Sequence, residues 1–92
     1  MGPNVMIKAL EAAKRILPGV KWGTSGRRVY GWVAGTQVSI EWDSVRGWCV
    51  HGFTMMRARY ETAEEALEAL RGEVIEVRDQ FNRALGLEVG DA

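Results

Sequence analysis

With one cysteine, one histidine and two prolines, the chain has little of what most catalytic and metal sites are built from. Cys49 alone excludes an intrachain disulfide and any all-thiolate metal site made by a single copy. His51 alone leaves acid–base and metal-ligand chemistry thinly equipped, so no cofactor, no metal and no enzymatic activity are expected. No apolar run approaches the roughly 20 residues that a bilayer span requires. The N-terminal stretch mixes charge with apolar residues instead of forming a signal-peptide core, so a cytoplasmic protein without membrane association is expected. What is present, in 92 residues, is 47% hydrophobic and 26% charged. That is the composition of an ordinary globular chain, long enough for one domain spanning 1–92 and too short for two.

Net charge is also lacking, yet its zero hides a division. Residues 1–60 carry nine Lys or Arg against three acids, while residues 61–92 carry three against nine. Fields of opposite sign steer different partners, and two oppositely charged halves also neutralise each other when folded.

Asn4, behind Gly2 and Pro3, can cap a helix running to about Leu17, where Pro18 and Gly19 stop it. Met6, Leu10, Ala13 and Leu17 form its apolar stripe. From Val20 to Tyr60 the period changes to two, with β-branched and aromatic residues between glycines. Strands are predicted at Val20–Gly23, Arg27–Val33, Gln37–Trp42, Trp48–Phe53 and Met56–Tyr60, joined by turns short enough for antiparallel hairpins. Around Phe53-Thr54-Met55 the last two strands could instead be one long strand bent at Gly52. Thr62 and Glu65 form a capping box for a second helix. Ala63, Leu67, Leu70, Val74, Val77, Phe81 and Ala84 then repeat at four and three, to a stop at Gly86. The fold class is therefore α+β: an N-terminal helix, an antiparallel sheet of four to five strands, and a long C-terminal helix packed on one sheet face. At about 1.5 Å per residue the second helix exceeds 30 Å, whereas a six-residue strand spans only about 20 Å. Its far end, with Val74, Val77 and Phe81, needs another partner, either helix one or a second copy in a homodimer.

Alternation assigns Val29, Gly31 and Val33, then Val38, Ile40 and Trp42, then Trp48 and Val50, and finally Met56, Ala58 and Tyr60 to the inner face. The opposite phase carries Arg28, Tyr30, Trp32, Gln37, Ser39, Glu41, Cys49, His51, Phe53, Met55, Arg57 and Arg59. Aromatics beside guanidiniums on a helix-free sheet face can anchor a protein partner, or stack bases and contact phosphates of a nucleic acid. Arg28, Tyr30, Trp32, Arg57 and Arg59 are the candidate binding residues.

Arg46-Gly47-Trp48-Cys49-Val50, followed by Tyr60-Glu61-Thr62-Ala63-Glu64-Glu65-Ala66, resembles the tryptophan strand and strand-to-helix junction of the plant ethylene-response and integrase-type DNA-binding domains. The resemblance implies a three-stranded sheet that reads DNA with a helix behind it. The chain departs from that pattern in its extra N-terminal helix, its additional hairpin and its lack of net positive charge.

Cys49 and His51 share a strand face about 6 to 7 Å apart along the backbone, but neither an orienting group nor an oxyanion site is identifiable. They supply at most half a zinc site. Glu41 and Asp43 are likewise a strand-end carboxylate pair of the solvated kind. The expected function is that of a small non-enzymatic adaptor, subunit or inhibitor. It would engage a protein through the aromatic and basic sheet face and through the acidic helix with Glu64, Glu65, Glu68, Glu73, Glu76 and Asp79. The alternative is a nucleic-acid-binding domain using the same sheet face.

Overall fold

A computed structural model describes residues 3–89. Helix α1 (Pro3–Ile16) leads into five strands, β1 (Gly23–Ser25), β2 (Arg28–Val33), β3 (Thr36–Asp43), β4 (Gly47–His51) and β5 (Met56–Tyr60), and helix α2 (Ala63–Ala84) closes the chain. The strands form one antiparallel meander in the order β1-β2-β3-β4-β5. Helix α1 begins one residue earlier than the predicted cap, at Pro3, where a missing N–H costs nothing; Asn4 lies in its first turn.

Each hairpin follows from local chemistry. Val33 pairs with Thr36 across Ala34 and Gly35, both at positive φ (49° and 80°), the turn whose twist suits a two-residue hairpin. Between β3 and β4, Asp43 Oδ1 accepts from the amides of Val45 at 2.8 Å and Arg46 at 3.0 Å. Those two bonds, with the nearby Arg46 and Arg27 charges adding to them, hold the Asp43 carboxyl below its ordinary pKa.

The first strand is not where alternation put it. Val20 to Trp22 turn inward over Gly31, where an added Cβ would stand 3.0 Å from the Trp22 ring and collide with Val20. Trp22 Nε1 also donates to the Leu17 carbonyl at 3.1 Å, tying this stretch to the end of α1. Packing on the sheet has therefore replaced pairing, and β1 starts only at Gly23.

Both helices cover one sheet face. Val29, Val38, Ile40, Trp48 and Val50 from the sheet, Ala9, Ala12 and Ala13 from α1, and Ala63, Ala66, Leu67 and Leu70 from α2 form one buried cluster. Small alanines at the centre of α1 let its backbone approach closely, while Met6, Leu10 and Leu17 close the rim. Trp42 packs edge-to-face on Trp48, centroids 5.6 Å apart.

Predicted phase holds through β2, β3 and β4 and fails in β5. His51 opposes Met56 and Val50 opposes Arg57, but the next pair is Trp48 with Tyr60. Ala58 and Arg59 thus stand together opposite Cys49 as a bulge, with Arg59 at φ 76°. One extra residue reverses the side on which every earlier residue of the strand projects. Met56, expected inside, is accordingly 77% exposed, and Ala58 is exposed as well.

The break between β4 and β5 is real, and Glu73 makes it. Expected on the acidic, partner-engaging face of α2, Glu73 is instead only 7% exposed. Its carboxylate accepts from the amides of Phe53 (2.5 Å), Thr54 (3.2 Å) and Met55 (2.9 Å) and from Thr54 Oγ1 (3.1 Å). Gly52 is required there, because any Cβ would collide with that carboxylate.

Thr62 caps α2 by accepting from the Glu65 amide at 3.1 Å, as the capping box implies. The buried residues of α2 end at Glu73. Beyond it the helix runs clear of the sheet, and the molecule measures 47 × 23 × 21 Å. No helix among the described residues is long and apolar enough to cross a membrane.

Candidate binding face

On the sheet face opposite the helices, strand pairing builds two cross-strand rows. Tyr30, Ser39, His51 and Met56 form one, and Arg28, Glu41 and Cys49 form the next. Trp32 lies beyond them opposite Gln37 and is 60% exposed. The Tyr30 ring crosses the backbone of β1, so that a Cβ on Gly23 would lie 3.1 Å from Tyr30 Cζ. Tyr30 is half-buried, while Trp32, two residues on, is mostly exposed.

Ser25, Gly26, Arg27, Arg28, Tyr30, Trp32, Gln37 and Glu41 line an open groove of about 610 Å³. Its size is that of ordinary ligand and peptide clefts. Glu41 lies between two neighbours, 3.8 Å from the Arg28 guanidinium and 3.9 Å from His51 Nε2. All three are substantially exposed, so these pairs orient side chains more than they stabilise the fold.

The five candidate residues do not converge. Arg28, Tyr30 and Trp32 share the helix-free face. Arg57 opposes the core residue Val50 and so projects to the helix side, where it lines a cavity with Ala69, Gly72 and Glu76. Arg59 sits in the bulge and borders a different hollow, with Trp42, Arg46, Gly47 and Tyr60. Strand parity alone misplaced Arg57, because the bulge reverses the phase of the residues before it. Arg27 joins the groove instead; the signal for it was the two-residue turn Gly26-Arg27, which places it next to Arg28 at the groove mouth.

Cys49 and His51 project to the same face. Partial burial, with the Asp43 and Glu41 carboxylates adding to it against Arg46, pushes the Cys49 thiol up from its ordinary pKa. Such a thiol stays protonated at neutral pH and is a poor nucleophile. Among the described residues no group of three or more His, Cys, Asp and Glu side chains could hold a metal ion. Cys49→Ser and His51→Ala are therefore expected to fold and bind like the parent. Lost binding with an unchanged melting curve in either would bring site chemistry back to β4.

No protein family matches the chain, and neither the curated proteins nor the solved structures contain a match. Trp48, which carried the likeness to the plant DNA-binding domains, is 4% exposed and faces the helices.

Proposed function

We propose that the chain is a small non-enzymatic binding module that recognises another protein through the helix-free face of its sheet. The observation that carries this is Trp32, more than half exposed and lining one open groove with Tyr30 and Arg28. An exposed indole in a groove that also carries guanidiniums is the side-chain chemistry of an interface anchor. A protein partner is favoured over nucleic acid because the guanidiniums are dispersed. With Arg57 and Arg59 turned away, the groove keeps Arg27 and Arg28 but has the Glu41 carboxylate in its wall, which repels phosphate. Glu64, Glu65, Glu68 and Glu76 remain exposed along α2 and supply a second, acidic surface for a basic partner. A cytoplasmic site of action agrees with the unpaired thiol of Cys49.

The test is a photo-crosslinking residue in place of Gln37, directly across from Trp32, used in cells that make the protein. It should yield a protein adduct whose purified partner binds the Trp32→Ala variant about thirtyfold more weakly, or about 2 kcal/mol. Undiminished binding by that variant would reject the face. Steeply salt-dependent binding of DNA or RNA, lost on replacing Arg27 and Arg28, would replace the protein partner with a nucleic acid.

A further inference from the structure

The stripe of α2 that lies on the sheet continues without interruption past its edge. Leu67 and Leu70 are fully buried, Val74 and Val77 are half-buried, and Phe81 and Leu85 are 61% and 73% exposed. The helix end folds this stripe back on itself. Gly86, at φ 76°, donates to the Arg83 carbonyl at 3.0 Å, and the Leu87 amide donates to that of Asn82 at 2.7 Å. That pair of bonds is the Schellman arrangement, which brings the residue after the glycine against the last turn, here adding Leu87 to Phe81. About 11 residues of helix thus extend without a sheet beneath them, a length that is marginal in water unless its apolar side is covered.

The exposed surface of Val74, Val77, Phe81, Leu85, Leu87 and Val89 amounts to roughly 500 Å² per copy, so two copies that cover these stripes completely would bury about 1,000 Å², the lower bound for a specific interface. It is a sizeable share of a molecule whose whole surface is 6117 Å². The stripe also selects the orientation. Because it continues the face on which the body sits, a parallel pairing would place the two sheets in the same space. An antiparallel pairing puts each body beyond the tip of the other helix, and it also opposes the two helix dipoles.

We infer that the chain forms an antiparallel homodimer through the overhanging half of α2, with Phe81 at its centre. This surface is separate from the groove at Trp32 and does not depend on it.

Sedimentation of the full chain through tens to hundreds of micromolar should show a species of twice 10.3 kDa. Phe81→Asp, at an exposed position that leaves the fold intact by circular dichroism, should sediment as a monomer throughout, with association weakened at least about a hundredfold. Orientation is read from spin labels placed singly, on a Cys49→Ser background, at Gln80 and at Glu64. Antiparallel pairing about Phe81 brings the labels at 80 together and separates those at 64 by about 50 Å, from the helical rise. A monomeric parent, a dimer that survives Phe81→Asp, or equally short distances at both positions would each overturn the inference.

Discussion

Replacing Glu73 by alanine is expected to cost about 3 kcal/mol, a large share of the roughly 5 to 14 kcal/mol that holds a domain of this size together. The carboxylate is the acceptor for three consecutive amides, those of Phe53, Thr54 and Met55, and for the Thr54 hydroxyl. Removing it leaves those donors without a protein partner, at about 1–3 kcal/mol for each that water does not reach. The loop is only partly buried, so water recovers some of that loss and the sum falls well short of three full penalties. Glu73→Gln keeps the shape but turns one acceptor into a donor that faces other donors, and about half the loss is expected. Urea unfolding of the two variants against the parent measures both. A change below about 1 kcal/mol for Glu73→Ala would mean that the 52–55 loop holds its conformation without the carboxylate.

Trp48→Ala is expected to cost about 3–5 kcal/mol, whereas Trp32→Ala stays within about 1 kcal/mol of the parent. Both tryptophans lie on central strands of the same sheet, and they differ in which face they serve. Trp48 is buried among the α1 and α2 alanines and carries the edge of Trp42, so its removal opens a cavity and unseats a second ring. Trp32 stands mostly in water. Trp42, half-buried, should fall between them. Thermal and denaturant unfolding of the three alanine variants checks the order, and comparable losses for Trp32 and Trp48 would mean that the second face is covered too.

Where side chains alternate without interruption, their parity was enough to place them. Val29, Val38, Ile40, Trp48 and Val50 were legible as core, and Arg28, Tyr30 and Trp32 as the opposite face, because a strand of period two has only two sides. In β5 the same rule misplaced Met56, Arg57 and Ala58, since an Arg in a left-handed bulge leaves no mark that distinguishes it from an Arg in a strand. Arg57 was lost from the candidate site with that phase. Glu73 was hidden differently. It follows Leu70 by three, the spacing of the buried stripe, but a carboxylate on a helix rich in acids reads as solvent-facing until the amides it serves, about 20 residues earlier in the chain, are brought beside it. Val20 to Trp22 had strand composition and was claimed by packing, a competition that local pattern does not resolve.

Neighbour-to-neighbour pairing along the meander means that every hairpin can form as soon as its own residues have left the ribosome, since no strand waits for a distant one. Completion is another matter. The acceptor for the 52–55 loop and most of the apolar cover for β4 both reside on α2, which is synthesised after every strand. A nascent chain ending near Tyr60 therefore presents a sheet whose apolar side is covered by α1 only over β1 and β2, with three amides unanswered, and it acquires its native rigidity only when the segment through Glu73 has emerged and wound into helix. Helix α2 acts as the clasp for the sheet made before it.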